Sequence, residues 1–246
     1  MDILGHRGAR GEAPENTLSG FQHLLGLGIQ AVEFDIQVSA DQQLVIIHDR
    51  NVDRTTSASG PVSSFTAHQL SALDACHHRR YFDADNHRYW WPHSDGIPRL
   101  QDVLNLFPTS HHLQLEVKAA TEADSKAVIR LLPAICREFK ARAVTTSFNL
   151  DYLEGIRAAA PEIPRGVLFE QDCTGGMVET ALALGCVSIG PHFSLCSREL
   201  VAQAHAAGLT VSTWTVNEPD DMRVLRDMGV DSIITDFPQL ALRTLR

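Results

Sequence analysis

Helix-like runs that end in glycine and pass directly into apolar strands recur along this chain. Four segments show the pattern: LLGLGIQAVEFDI, ALALGCVSIG, AHAAGLTVSTWTV and LRDMGVDSIITD. The glycines at their junctions are Gly28, Gly185, Gly208 and Gly229, and each suits the left-handed conformation that closes a helix. The strands that follow are nearly continuously apolar and rich in Val and Ile, which is typical of a buried parallel sheet. The repeat therefore predicts an α/β fold.

Eight segments of the chain are strand-like, and helical runs lie between most of them. Strands are predicted at 3–5, 31–36, 113–117, 143–146, 166–169, 187–189, 210–213 and 232–235, with an extra strand at 43–48. Helices are predicted at 16–27, 122–139, 150–160, 176–184, 197–207 and 219–228. Eight β/α units in 246 residues predict a TIM (β/α)8 barrel, with a doubly wound open sheet as the alternative. No linker divides the chain, so residues 1–246 are expected to form a single domain.

One segment, at 75–98, interrupts the alternation. Its sequence, ACHHRRYFDADNHRYWWPHSDGIP, holds four His and two Trp. It is longer than the roughly 2–6 residues of an ordinary connection between a strand and a helix, and it predicts an elaboration of the loop face or a small insert. Its His residues beside Cys76 leave a metal site open, but the spacing matches no compact ligand pattern. An aromatic wall over a pocket, or surface packing, is favoured.

The charge and cysteine content exclude several classes of protein. A formal net charge of -9 and a pI of about 5.7 argue against a nucleic-acid binder and against stable association with an anionic membrane. The N-terminus does not resemble a signal peptide, and no apolar run approaches the roughly 20 residues of a transmembrane helix. The five Cys include no C-x-x-C pair, so reduced, mostly buried thiols and a cytoplasmic location are expected.

Ionisable and polar side chains stand where the predicted strands end. In a TIM barrel this is the end at which the active site forms. The residues at these positions are His6, Arg7, Glu33, Asp35, His48, Asp49, Glu116, Lys118, Trp214, Asn217 and Asp236. The sequence therefore predicts a charged site on one rim of the barrel.

Three carboxylates in this set predict an oxygen-rich site. Glu33 and Asp35 are two residues apart in VEFDI, so both side chains project from one face of their strand. Glu116, from the adjacent strand, can complete a set of hard oxygen ligands that suits Mg²⁺ or Ca²⁺ better than zinc. The alternative is a structural ion network in which these carboxylates pair only with Arg7 and Lys118.

Two imidazoles of the set are candidates for proton transfer. His6 and His48 each end a strand beside another charged residue. A pair of imidazoles with pKa values near neutrality can act as general base and general acid around one bond, although a single His is more often structural. The planar guanidinium of Arg7 suits a phosphate or a carboxylate.

Eight motifs, in order from residue 5 to residue 238, resemble the glycerophosphodiester phosphodiesterase family. They are GHRGARGEAPENT, VEFDIQ, IIHDRNVDRTT, DGIPRLQDVL, LEVK, TTSFN, WTVNEPDDM and GVDSIITDFP. A bare HRG would occur by chance, but eight pieces in order are a specific match. The resemblance implies a TIM barrel with a small insertion after the second barrel strand.

The resemblance also implies roles for residues of this chain. It implies that one divalent cation, Mg²⁺ or Ca²⁺ or else Mn²⁺, is bound by Glu33, Asp35 and Glu116. It implies that His6 and His48 are the acid–base pair. It also implies that Arg7 and Lys118 contact the phosphodiester and that Trp214 lines the pocket. Glu15 and Asn16 look structural, and Asn16 can cap the following helix. Arg10 and Glu12 are expected to be solvated loop residues.

The activity implied is hydrolysis of a small glycerophosphodiester, such as glycerophosphocholine or glycerophosphoethanolamine, to sn-glycerol 3-phosphate and an alcohol. Two alternatives stay open. A phospholipase D-like or lysophospholipid-cleaving phosphodiesterase could share the barrel and the His pair, and a non-catalytic protein could bind phosphate esters. The sequence indicates neither the preferred headgroup nor the oligomeric state.

Overall fold

The eight predicted barrel strands are all present and close into a barrel. The computed structural model describes residues 1–77, 80–83, 85–119, 121–137 and 143–245. Its strands are β1 Asp2–His6, β2 Ala31–Val38, β3 Leu44–Ile46, β4 Arg80–Phe82, β5 Arg88–Trp90, β6 His112–Val117, β7 Ala143–Ser147, β8 Arg165–Phe169, β9 Ser188–Pro191, β10 Thr210–Thr213 and β11 Ser232–Thr235. Strands β1, β2 and β6 to β11 pair in parallel in that order, and β11 pairs back with β1. This closure excludes the doubly wound alternative and confirms the TIM barrel.

Helices surround the barrel. They are α1 Leu18–Gly26, α2 Ala67–Ser71, α3 Leu100–Leu106, α4 Glu122–Cys136, α5 Leu150–Ala159, α6 Met177–Ala183, α7 Arg198–Ala206, α8 Pro219–Met228 and α9 Pro238–Leu245. The glycines predicted to close helices have φ values of +79°, +62°, +76° and +90° at Gly28, Gly185, Gly208 and Gly229, which confirms the opening pattern. The predicted helix at 122–139 reaches past Cys136 into 138–139, outside the described residues.

Alternating side chains of β2 belong to the core on one face of the strand and to the site on the other. Val32, Phe34 and Ile36 are fully buried in the layer between barrel and helices, where Phe34 contacts Phe21 of α1 edge to face at 5.8 Å between ring centroids. Glu33 and Asp35 project from the other face, into the barrel. The same strand therefore stabilises the fold with one face and supplies charge to the barrel mouth with the other.

The insertion lies between β2 and β6. Strand β3 pairs antiparallel with β2, and β4 and β5 form a separate hairpin within the segment at 75–98. The hairpin packs on the loop after β1: the Phe82 amide donates to the Gly11 carbonyl at 3.1 Å, and Trp91 is buried against Ala9 and Ala13. The expected insert is therefore a hairpin that supports the first βα loop.

The metal alternative in this segment receives no support at Cys76. His78 lies outside the described residues. Among the residues that the structure describes here, the side chains close enough to share an ion are Asp83, Asp85 and His87 at the hairpin turn, of which Asp85 and His87 are exposed.

Two sequence interpretations in the first βα loop are wrong. Thr17, not Asn16, caps α1, because its side chain accepts from the Gly20 amide at 3.1 Å. Glu12 is 1% exposed rather than solvated, and it accepts from the Gln239 amide at the start of α9 at 2.9 Å and pairs with His23 at 3.2 Å. A buried carboxylate needs such partners. Glu12 therefore ties the loop to the last helix.

Two further properties concern the helices and the cysteines. None of the described helices is long and apolar enough to cross a membrane. Cys136 and Cys186 are buried, and burial raises the pKa values of their thiols to about 12 and about 11. These two thiols behave as apolar groups at neutral pH.

Candidate active site

The predicted site residues meet at the carboxyl ends of the barrel strands. Closure of the barrel brings the ends of β1, β2 and β6 together, since β1 pairs with β2 and β2 with β6. The residues gathered there are His6, Arg7, Glu33, Asp35, His48, Glu116 and Lys118, with Trp214 on the adjoining wall.

Three carboxylates form the centre of the site. Asp35 lies directly opposite Glu116 in the β2–β6 pair, and oxygen atoms of Glu33, Asp35 and Glu116 lie within 4.8 Å of one another. Burial, followed by the negative charges of Asp35 and Glu116, raises the pKa of Glu33 well above its ordinary value. Burial alone would also raise the pKa of Asp35, but the charges of Lys118 and Arg7 lower it.

Two basic side chains neutralise part of this charge. The Lys118 ammonium lies 3.2 Å from Asp35 Oδ1 and also contacts Glu116. Arg7 donates from its backbone amide to Glu33 at 3.1 Å, and its Nε lies 3.3 Å from Asp35 Oδ2. Burial works against charge in Lys118, but the surrounding carboxylates raise its pKa above the ordinary value. The ion network suggested by the sequence alone is therefore present.

The network leaves two carboxylate oxygens without a hydrogen bond. Among the described residues, buried Glu33 Oε1 has no hydrogen-bond partner, and buried Asp35 Oδ1 has only its ion pair with Lys118. Buried carboxylate oxygens are normally satisfied, and the three carboxylates, when all are ionised, exceed the two cations by one negative charge. An all-oxygen donor set with unsatisfied atoms fits a hard divalent cation such as Mg²⁺ or Ca²⁺.

His6 is held at the end of β1 by a residue from the opposite end of the chain. Its Nδ1 lies 2.6 Å from Asp236 Oδ1, and its Nε2 faces Glu33 at 3.9 Å. Asn217 fixes Asp236 in turn by donating from Nδ2 at 2.9 Å and accepting from the Asp236 amide at 2.9 Å. Burial would raise the pKa of Asp236, but the hydrogen bond and charge of His6 lower it. An ionised Asp236 can only accept, so Nδ1 of His6 carries a proton and Nε2 faces the site.

His48 has the same arrangement on the other side of the carboxylates. Its Nδ1 lies 2.6 Å from Asp49 Oδ1. Gln37 of β2 fixes the backbone beneath it by donating to the carbonyls of Ile47, His48 and Asp49 at 3.1, 2.9 and 2.6 Å. Burial lowers the pKa of His48, with Asp35 acting in the opposite sense. In both imidazoles Nδ1 is therefore occupied by a carboxylate, which leaves Nε2 as the nitrogen available to a substrate.

Sequence reasoning missed two charged residues of the site, Glu15 and Arg54. Glu15 accepts from Arg7 at 2.8 Å, so its role is not confined to starting a helix. Arg54 donates to Glu15 at 2.6 and 2.7 Å and to Asp49 at 2.5 Å. These pairs join the β1 loop to the insertion, and nothing in the periodicity of the chain indicates them.

Two cavities flank the carboxylates and share Glu116. The inner cavity lies against His6 and contains Gln114, Leu168, Trp214 and Ile234 among its lining residues. The outer groove runs from His48 and Lys118 to Phe148, Asn149 and Glu170. Trp214 is fixed by donating from Nε1 to the Gly190 carbonyl at 2.8 Å and by an edge contact with Phe148 at 5.4 Å. The His6 side chain is 11% exposed and that of His48 is 31% exposed, so the inner side is the more enclosed.

Known proteins are similar to this chain in both fold and sequence. The model of the glycerophosphoryl diester phosphodiesterase family matches residues 6–240. A glycerophosphodiester phosphodiesterase of Caldanaerobacter subterraneus subsp. tengcongensis is 32% identical over 250 residues, covering 99% of this chain and 97% of the relative. A solved structure from Silicibacter pomeroyi DSS-3 is 31% identical with a TM-score of 0.86, covering 100% of this chain and 93% of its own. An Oleispira antarctica phosphodiesterase, solved with its product sn-glycerol-3-phosphate, is 26% identical with a TM-score of 0.83, covering 100% and 96%.

Proposed function

The chain belongs to the glycerophosphoryl diester phosphodiesterase family, and from this premise we propose that it hydrolyses glycerophosphodiesters to sn-glycerol 3-phosphate and an alcohol by metal-dependent acid–base catalysis. The observation that carries the proposal is the pair of imidazoles on either side of the buried carboxylates. Each has Nδ1 hydrogen-bonded to a carboxylate at 2.6 Å, which directs Nε2 toward the substrate. This is the arrangement that proton transfer to and from a positioned substrate requires.

Glu33, Asp35 and Glu116 are proposed to hold one divalent cation, with Mg²⁺ or Ca²⁺ favoured and Mn²⁺ also admitted. Their unsatisfied buried oxygens support this proposal. A bound cation would act as a Lewis acid and stabilise negative charge on the phosphoryl oxygens. Arg7 and Lys118 are proposed to bind the phosphodiester and to offset the charge that develops as phosphorus becomes five-coordinate.

The two cavities suggest how the imidazoles divide the work. The glycerol moiety, which is common to all substrates of this class, is proposed to bind on the enclosed side beside His6 and Trp214. The alcohol, which varies, fits the open groove beside His48 and Phe148. His6 is therefore proposed to remove the proton from the nucleophile, and His48 to protonate the departing alkoxide from the opposite side.

The relative that binds sn-glycerol-3-phosphate supports this reaction, because that molecule is the product expected here. The proposal names soluble glycerophosphocholine and glycerophosphoethanolamine as substrates. Cleavage of lysophospholipids on the same barrel is the competing outcome.

A substrate panel tests the proposal. Purified protein is incubated with glycerophosphocholine, glycerophosphoethanolamine, glycerophosphoglycerol and lysophosphatidylcholine, each with Mg²⁺, Ca²⁺, Mn²⁺ or excess chelator, and sn-glycerol 3-phosphate and lysophosphatidic acid are measured. Release of sn-glycerol 3-phosphate that requires a divalent cation is expected. Full activity in chelator would contradict metal dependence, and preference for the lysophospholipid would favour the competing substrate class.

A further inference from the structure

We infer that Arg54 is a positioning residue for this reaction, an inference that rests on the proposed function. Arg54 holds the two carboxylates that orient His48 and Arg7, and it thereby fixes the positions of both side chains relative to the substrate. Arg54 belongs to the insertion, in the loop after β3, and not to any barrel strand. Its guanidinium makes three short charged hydrogen bonds, to Asp49 Oδ2 at 2.5 Å and to both oxygens of Glu15 at 2.6 and 2.7 Å.

The branch through Asp49 controls the freedom of His48. Gln37 fixes the backbone carbonyls of residues 47–49, so the remaining freedom lies in the side chains. Those of His48 and Asp49 are 31% and 32% exposed, which leaves room for both to rotate. One Asp49 oxygen accepts from His48 and the other from Arg54. Arg54 is thus the partner that restrains Asp49, and through it the direction of His48 Nε2.

The branch through Glu15 controls Arg7. Glu15 Oε1 accepts from Arg7 at 2.8 Å and from Arg54 at 2.7 Å. Arg54 binds Glu15 in the bidentate geometry that a guanidinium makes with a carboxylate. The chain of contacts His48–Asp49–Arg54–Glu15–Arg7 therefore links the proposed acid to the proposed phosphate contact. It also neutralises two carboxylates that would otherwise repel an anionic substrate.

The chemistry of the leaving group separates positioning from plain structural support. The alkoxide of choline is a poor leaving group, so choline needs a proton from His48 and leaves as the alcohol, whereas p-nitrophenolate leaves without protonation. A loosened His48 should therefore slow the release of choline and spare the release of p-nitrophenol. A residue that only stabilised the loop would affect both substrates equally.

The test compares glycerophosphocholine with the p-nitrophenyl ester of sn-glycerol 3-phosphate in the intact enzyme with Mg²⁺ or Ca²⁺. Arg54→Gln is expected to lower kcat for the choline ester about 10- to 100-fold and kcat for the p-nitrophenyl ester less than about threefold. KM should rise by a similar factor for both, because Arg7 contacts the phosphate that they share. Asp49→Asn should show the same split, and the double variant should lose no more than Asp49→Asn alone.

Two further variants keep the outcome interpretable. Arg223→Gln removes an exposed arginine that pairs with Asp220 at 2.7 Å on α8, and it should leave both rates unchanged. Arg54→Lys keeps the positive charge but loses the planar guanidinium that binds Glu15 through two hydrogen bonds. It is expected to lower kcat about three- to tenfold for the choline ester alone. If Arg54→Gln does not fold, Arg54→Lys replaces it in the comparison.

Equal losses in kcat on the two esters, or no loss of kcat on either, would overturn the inference about Arg54 and leave the proposed function standing. Failure of the unaltered enzyme to release sn-glycerol 3-phosphate from any diester would overturn the proposed function itself, and this inference with it.

Discussion

Asp236 holds Nδ1 of His6 at 2.6 Å, and this hydrogen bond joins the end of the chain's last barrel strand to the end of its first. Barrel closure is what makes the contact possible, since β1 pairs with β11. The two residues are 230 positions apart in sequence. Barrel closure therefore orients His6, one of the two proposed catalytic imidazoles.

The orientation of His6 predicts the effect of Asp236→Asn. An amide can donate to Nδ1, which would leave the proton on Nε2 and turn the proposed base into a donor. We expect kcat for glycerophosphocholine to fall about a hundredfold or more, with little change in KM. Steady-state kinetics would measure this. Asp2→Asn is the matched control, because Asp2 pairs with His111 at 3.1 Å on the surface, and a comparable loss there would contradict a specific role.

The raised pKa of Glu33 predicts that cation binding releases a proton. Burial first, and then Asp35 and Glu116, favour the protonated form of Glu33 in the metal-free protein to a higher pH than usual. A bound cation favours the ionised form, so the proton leaves on binding. Titration calorimetry near pH 6 with Mg²⁺ or Ca²⁺, in two buffers of different ionisation enthalpy, should show proton release. Burial also raises the pKa of Glu116, so Glu33→Gln should bind the cation more weakly and with a smaller buffer effect. A wild-type heat independent of buffer would contradict the prediction.

The lowered pKa of Glu15 predicts how stability depends on pH. Burial would raise it, but Arg54 and Arg7 bring it from 4.5 to about 2. A carboxyl group whose pKa falls on folding adds stability above its unfolded pKa and loses that stability as the pH drops toward the folded pKa. The shift corresponds to about 3 kcal/mol.

Glu15→Gln should therefore lower the free energy of unfolding by up to about 3 kcal/mol at neutral pH. Its deficit relative to the unaltered protein should narrow as the pH falls from 4.5 to about 2. Urea titrations across this range would measure both, with Glu154→Gln as an exposed control. A gap that did not change with pH would show that the ion pairs of Glu15 contribute no stability.

The alternation of strands and helices could be predicted because short local sequence patterns determine it. Continuous apolar runs give buried parallel strands, and a left-handed glycine such as Gly229 marks where a helix ends. Three helices are not among the predicted ones: α2, α3 and α9, which span five, seven and eight residues. The hairpin of β4 and β5 was expected only as an insert, because its two strands have three residues each.

The three carboxylates and His6 could also be placed from the sequence, since each lies near the end of a barrel strand and parallel strands end at one rim. His48 could not be placed by this rule, because it follows β3, which runs antiparallel to β2. The partners of these side chains could not be placed either. Glu15 and Arg54 are 39 residues apart on two loops, and loop conformation decides whether they meet. Asn16 illustrates the same limit: it has a φ of +56° and donates to Asp35 at 2.8 Å, a contact that helix-capping statistics do not anticipate.

The most direct test of the account is the rate at which His6→Ala and His48→Ala release sn-glycerol 3-phosphate from glycerophosphocholine in the presence of Mg²⁺ or Ca²⁺. Both variants retain the carboxylates and the basic side chains, so substrate binding should persist while proton transfer fails. Each is predicted to lose at least about a hundredfold in kcat relative to the unaltered enzyme. Full activity in both variants would contradict catalysis by the imidazole pair.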